Sequence, residues 1–415
     1  MLPSSGELTA SMFNIELGLP PTTAGRIDEA IYRTLCGKPT GTIKFSDFYG
    51  KAGSNIKQVA THSNGDTYIV TQSGNLYATG INHAGQFGLG DTNKRITFTK
   101  LPITNVEYVS CAHHVFVVLK NGEVWTAGSN TYGACGLGTT SNVTTFTRTG
   151  INNPVIMACG GGNSSYAVLP DGRLMVCGWN SDGQLGLGDI TDRLTWVESP
   201  LRNVVSIDAG DVTTIALTSN GDVYVCGRQG CIGLGVAGNE LPQSTWVNVR
   251  HVFPINHVVT QVSAGDNAVF CTTVDPSVPN IVNIWSAGYN HHGQLGLGTF
   301  DGVAGFNKVG EYSNVRLLGA GNNFMFINFK DGRVFATGSN MNGTLGIGTS
   351  GNNLNTFTQS NITNVRYAIG GDWHTVAIKN NGEVWGCGKN DSGQLGLGDT
   401  IDRPSWTQID VSALT

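Results

Sequence analysis

The sequence predicts an all-β, seven-bladed β-propeller of four-stranded blades, preceded by a small N-terminal segment with short helices. Three observations carry this. One glycine-rich motif recurs seven times along the 415 residues. Large apolar side chains recur at two fixed offsets from it. Glycine, at 58 residues, is about double its usual share of roughly 7%.

Each element follows from these in turn. Helices disfavour glycine by about 1 kcal/mol per residue, so strands and turns are expected. The glycines follow no three-residue period, which excludes collagen. Proline is only 13 and apolar residues are evenly spread, which excludes wholesale disorder. Length alone suggests two or three domains, but a repeating β architecture can hold over 300 residues as one unit.

The motif is Gly-x-Asn-x-x-Gly-Gln-Leu-Gly-Leu-Gly. Its first glycines are Gly80, Gly128, Gly178, Gly227, Gly288, Gly338 and Gly388, at intervals of 48, 50, 49, 61, 50 and 50 residues. The fourth copy is degraded, with Gln229 for the asparagine and Cys231-Ile232 for Gln-Leu. Three residues before each first glycine stand Tyr77, Trp125, Met175, Tyr224, Trp285, Phe335 and Trp385. Eighteen or nineteen residues after it stand Phe98, Phe146, Trp196, Trp246, Phe306, Phe357 and Trp406.

The last unit shows the expected strands: Val365 to Ala368, Thr375 to Lys379, Glu383 to Cys387 and Ser405 to Gln408. Asn381-Gly382 suits the φ > 0 turn of the central hairpin. Four antiparallel strands repeated radially describe a propeller blade, and closing the ring removes exposed sheet edges. The units run approximately 55–105, 106–153, 154–203, 204–257, 258–314, 315–364 and 365–415, after an N-terminal segment 1–54. No terminal strand is obviously borrowed between units.

The motif followed by aspartate, with an upstream Gly-Gly-x-x-His-Thr-x-Ala-Ile such as Gly370 to Ile378, resembles the regulator of chromosome condensation repeat. The resemblance covers about residues 55 to 415 and implies a seven-bladed propeller. The signatures of WD and kelch repeats are absent at repeat spacing.

Residues 1–54 contain no repeat. Thr9 or Ser11 suits the cap of a short helix ending at Gly18. Ile27, Ile31 and Leu35 have i, i+4 spacing before Gly37, the pattern of a two-turn amphipathic helix. Leu2-Pro3-Ser4-Ser5-Gly6 and Ile43-Lys44-Phe45-Ser46-Asp47-Phe48-Tyr49-Gly50-Lys51 make the segment similar to the N-terminal segment of many tailed-bacteriophage tail proteins. That resemblance implies a virion tail, baseplate or fibre component docked through its N-terminus, in one or more copies, with the propeller displayed. Leu17, Ile31, Leu35, Phe45, Phe48 and Tyr49 are then the docking residues; alternatively they plug the base of the propeller. No signal peptide is legible, so synthesis in the host cytoplasm is expected.

Catalysis, metal and cofactor have no support in the sequence. Adjacent strand residues point to opposite faces, so His113-His114 and His291-His292 are poor metal pairs. The nine cysteines form no CxxC pair. Cys177, Cys226 and Cys387 precede motif glycines where Thr or Ala stands elsewhere, as small core residues would. Gly-x-Asn-x-x-Gly recurs too often, and opens no helix, so it reads as a turn and not as a phosphate loop. The asparagines of the motif are expected to bond local backbone. Asp91, Asp189 and Asp399 fit turn formation. A net charge of −5 with no basic run excludes phosphate-driven nucleic-acid binding, and no apolar run is long enough to span a membrane.

Binding is expected where units differ. The position before the histidine slot varies between units, and marks a candidate binding face at His113, Asn163, Asn267, Asn323 and Trp373, with Phe324 beside it. Asp275, Pro276 and Pro279 mark an insertion in the fifth unit, a contact arm or a tolerated loop. Similarity to the bacterial β-lactamase inhibitory protein, another propeller of this type, implies an aromatic protein-binding face. Three functions are open: the virion protein, recognising a host surface protein or glycan; a soluble protein-binding propeller, either an enzyme inhibitor or a nucleotide-exchange factor; and a carbohydrate-binding or carbohydrate-active propeller.

Overall fold

The computed structural model describes residues 55–62, 65–154, 156–160, 162–235 and 241–414. The expected N-terminal helices and the docking residues Leu17, Ile31, Leu35, Phe45, Phe48 and Tyr49 lie outside the described residues.

Twenty-eight strands form seven four-stranded antiparallel sheets, each built from four consecutive strands. In blade 1 these are Ile56–His62, Asp66–Thr71, Leu76–Gly80 and Arg95–Lys100; in blade 7 they are Val365–Gly370, His374–Lys379, Val384–Gly388 and Arg403–Ile409. The first strands of neighbouring blades touch in succession around the whole ring, so they line its axis. The fourth strands, alternating between half-buried and exposed, form the rim. All seven blades are therefore present, and they close into a propeller.

The core lies between blades. Each apolar cluster draws on two neighbours: Tyr68, Val70 and Leu76 of blade 1 pack with Val109, Val115 and Val117 of blade 2. Stacking around the ring buries apolar residues on both faces of each blade, which suits the low charge of the chain.

Two sequence positions meet at every blade junction. One motif glycine, the ninth residue in six copies and the seventh in the shortened fourth (Gly88, Gly136, Gly186, Gly233, Gly296, Gly346 and Gly396), lies against the outer-strand ring of the next blade (Phe146, Trp196, Trp246, Phe306, Phe357, Trp406 and Phe98). A Cβ on any of them would come within 2.1–2.6 Å of a ring atom. All seven also have φ between 61° and 79°, a region where L side chains are strained.

Side chains supplement the axial packing. Gln58 donates to the carbonyl of Val109 at 2.9 Å and accepts from its N–H at 3.0 Å. Gln261 does the same to Leu318, and Asn328 to Ala368. The Tyr367 hydroxyl accepts from the Val59 N–H at 3.0 Å, which joins blade 7 to blade 1.

Among the described residues no strand is exchanged at that closure. It is held by an apolar cluster containing Ile56, Val59, Ile69, Val376, Ile409 and Leu414, by Thr97 bridging Leu397, and by the Asn55 amide donating to the Leu414 carbonyl.

Candidate functional site

In every blade the start of the second strand pairs with the end of the third: Asp66 with Gly80, His114 with Gly128, His374 with Gly388. The first-to-second connection and the motif loop therefore share one face of the ring. The binding face expected from the variable positions is this one.

The first motif glycine fixes that face. Its φ lies between 97° and 122° in all seven blades. A Cβ would meet the carbonyl oxygen of the variable residue: Gly65 at 2.2 Å, Asn163 at 2.1 Å, Asn267 at 2.4 Å, Trp373 at 2.5 Å. The next N–H bonds that same carbonyl, as Trp179 does to Asn163 at 2.8 Å and Lys389 to Trp373 at 2.8 Å. The variable side chains thus ride on a rigid backbone.

The motif asparagines are internal struts. Asn180 is buried; its Oδ1 accepts from the Leu185 N–H at 2.9 Å, and its Nδ2 donates to the carbonyls of Asp189 and Thr191 at 2.9 and 3.2 Å. Asn390 repeats this with Leu395 and Asp399. Asp91, Asp189 and Asp399 pair with Arg95, Arg193 and Arg403 at 2.8, 2.7 and 2.6 Å. Each is a turn fastener. Cys177, Cys226 and Cys387 are buried thiols, and burial pushes them above the ordinary thiol range in Cys226 and Cys387.

The two slot histidines are also structural. His374 Nε2 lies 3.0 Å from Thr67 Oγ1 in blade 1, and His114 Nε2 lies 2.7 Å from Ser165 Oγ in blade 3. Burial pushes His374 down to about 4, so it is neutral at neutral pH.

Of the residues expected on the face, His113, Asn163, Asn267, Asn323 and Trp373 are half-buried there. Burial, then the neighbouring His83, pushes His113 down to about 4. Asn323 donates to Asn322 at 2.8 Å. Phe324 is a correction. It is 1% exposed, and Gly321 and Gly370 approach its ring so closely that a Cβ on either would come within 2.4 Å. Its position belongs to the slot that points toward the next blade, so it packs a junction and offers nothing to a partner.

The insertion also needs restating. Asp275, Pro276 and Pro279 lie in the turn between strands Ala268–Val274 and Ile281–Gly288, where Asp275 caps the Ser277 N–H at 2.9 Å. This turn is on the opposite face, and it carries only part of the extra length. The rest is the connection 249–257, whose Asn256 donates to Asp275 at 3.0 Å.

Two features of the face were not singled out from sequence. The first is acidic. Asp211, Asp266 and Asp372 stand two residues before the slot, where Asn322, Gly162 and Ala112 stand in other blades. Burial, then the charges of Asp211 and Asp372, pushes Asp266 up to about 8. Burial also raises Asp211, which feels Asp182 against Arg228, and raises Asp372 against the pull of Asn322, Lys389 and Trp373. Asn322 donates to Asp372 at 2.6 Å, and Arg228 pairs with Asp182 at 2.9 Å.

The second is aromatic. Tyr132 and Trp179, on the motif loops of blades 2 and 3, lie 6.0 Å apart between ring centroids. Tyr132 is 37% exposed; Leu194 and Ile190, 39% and 53% exposed, belong to the same part of the rim. Trp179 Nε1 donates to Ser181 at 2.8 Å, which holds the indole in place.

Among the described residues no group of three His, Cys, Asp or Glu side chains could hold a metal ion. No described helix is long and apolar enough to cross a membrane.

Comparison with known proteins agrees with this geometry. Models of the regulator of chromosome condensation (RCC1) repeat match residues 121–168 and 331–378, and in a second form 204–231 and 369–394. No curated protein sequence matches. Among solved structures, Prp20p of Saccharomyces cerevisiae is similar at 20% identity and a TM-score of 0.71, over 84% of this chain and 88% of that one. Human WBSCR16 is similar at 19% identity and a TM-score of 0.69, over 82% and 94%. At such identity the likeness concerns the fold. Motif, blade geometry and these matches together show a seven-bladed β-propeller that carries RCC1 repeats.

Proposed function

We propose that the protein is a non-enzymatic, protein-binding propeller that uses the face carrying the motif loops. The observation that carries this is the exposed Tyr132 packed on the half-buried Trp179 on the motif loops, with an acidic centre on the same face. Tyrosine and tryptophan are enriched among the residues that dominate binding energy at interfaces. An acidic centre whose carboxyls are raised by burial, and in Asp266 further by the neighbouring Asp211 and Asp372, favours a partner that brings a lysine or arginine. One structurally similar protein points the same way: yeast Prp20p has been studied for binding to Gsp1p and histones, and has been crystallised bound to Kap60. The reading covers inhibitor-like and exchange-factor-like roles alike.

The test is affinity capture with the whole chain as bait, wild type against Tyr132→Ala/Trp179→Ala. A partner retained by the wild type and lost by the double variant supports the reading. Equal capture by both contradicts it.

A second reading rests on the sequence Leu2 to Gly6 and Ile43 to Lys51. In it the propeller is a phage tail, baseplate or fibre module anchored through residues 1–54, and the same face meets the host surface. Mass spectrometry of purified virions tests it; absence of the chain from virions overturns it.

A further inference from the structure

A cleft of about 480 Å³ opens between blades 3 and 4, away from the face described above, and includes Gly186, Leu201, Tyr224 and Trp246 in its wall. Ligand pockets commonly measure about 300–1,000 Å³. Tyr224 occupies the position three residues before the motif glycine, which is aromatic in six of the seven blades. Elsewhere that ring is covered. Lys379 Nζ sits 4.1 Å above the centroid of Trp385. Arg333 lies 5.8 Å from that of Phe335. Phe253 packs edge-on to Trp285 at 5.6 Å, and Tyr77 is buried. Trp125 is tied to Glu123 through Nε1 at 3.3 Å. Tyr224 is half-buried: it packs on the apolar core of blades 3 and 4, makes no ring or cation contact among the described residues, and lines the cleft.

The polar groups of the cleft are neutral or already neutralised. Arg202 pairs with Glu198 at 2.6 Å and caps the Leu201 carbonyl at 3.2 Å. It therefore makes no demand for an anion. Thr218 donates to Asn220 at 2.5 Å, and Asn220 donates to Asp222 at 2.7 Å, which fixes the orientation of that amide. Asn203 is exposed, and its side chain makes no hydrogen bond among the described residues. Trp246 is held from behind: Nε1 donates to Ser199 at 3.0 Å, and Gly186 packs against the ring.

A held indole, an uncovered phenol ring and a rim of amides and hydroxyls without free charge match one ligand class. Sugar rings present an apolar C–H face to aromatic rings and hydroxyls to amides. We infer that this cleft binds a neutral hexose unit of an oligosaccharide. The site is independent of the protein-binding face and stands or falls separately from it.

The test uses the whole protein with cellohexaose, maltohexaose and a mannohexaose, followed by saturation-transfer NMR and by tryptophan fluorescence. At least one should show transfer to its ring protons. Tyr224→Ala and Asn203→Ala should each weaken that binding roughly tenfold, about 1.4 kcal/mol. Tyr224→Phe should keep most of it, and Trp179→Ala, on the other face, should leave it unchanged. Asn203 is exposed but has φ 57°, so Asn203→Gly, which removes the same amide and tolerates that backbone, reports on binding even if the alanine variants fold poorly. Absence of transfer from all three sugars overturns the inference, as does binding that neither alanine variant weakens.

Discussion

Gly396 of the last blade lies under the ring of Phe98 in the first: a Cβ on Gly396 would sit 2.5 Å from Cε2 of Phe98. The same contact recurs at the other six junctions, so closing the ring uses the joint that builds it. Gly186 and Gly188 separate its two ingredients. Both have positive φ, 66° and 90°, but only Gly186 faces a ring, that of Trp246, while Gly188 has nothing within 4 Å of its Cβ position. Gly188→Ala should cost about 1–2 kcal/mol, the backbone penalty alone. Gly186→Ala should add about 1–3 kcal/mol of overpacking. Denaturant unfolding of the two variants measures the difference.

The motif asparagine should be worth more than its size suggests. Asn390→Ala leaves the Leu395 N–H and the Asp399 carbonyl without their side-chain partner. Each buried group left unsatisfied costs about 1–3 kcal/mol. A fall in stability of about 2–4 kcal/mol is expected in chemical unfolding.

Ring closure should depend on the last described residues. Leu414 is buried in the cluster that joins blades 7 and 1. Leu414→Ala should cost about 2–5 kcal/mol, and protease cleavage should then begin in those two blades. Limited proteolysis read by mass spectrometry checks the position.

Stability should fall as the medium turns alkaline. Asp266 is pushed up to about 8, above the carboxylate range of the unfolded chain. A raised carboxyl contributes stability that is present at acid pH and lost as pH rises through the folded value. His113 and His374, pushed down to about 4, act oppositely, losing stability as pH falls below about 6.5. Asp66, raised to about 7 by burial, loses its own contribution below that pH, so between about pH 7 and 8 Asp266 carries the decline. Thermal melts across that window should decline for the wild type and flatten for Asp266→Asn.

The sequence displayed the fold because repetition makes each packing rule visible seven times. The aromatic at the outer strand and the motif glycine at the Gly396 position were both legible as fixed positions; that they touch was not, since the contact joins neighbouring units. Phe324 shows the opposite failure. Its type suggested an anchor, but alternation along the strand turns its slot inward. The acidic centre was hidden because Asp211, Asp266 and Asp372 are scattered in sequence and become neighbours only in the closed ring. Reading the position two before the slot in all units would have found it. Tyr132 and Trp179 sit at variable places in a conserved-looking turn, where no period could single them out.

The central claim is that the motif-loop face is where this propeller meets its partner. A photo-crosslinking residue placed at Trp179 and, separately, at Val278 on the opposite face tests it in the intact protein. The account predicts that the same partner peptides are captured from position 179 and not from position 278. Capture from position 278 alone would contradict it.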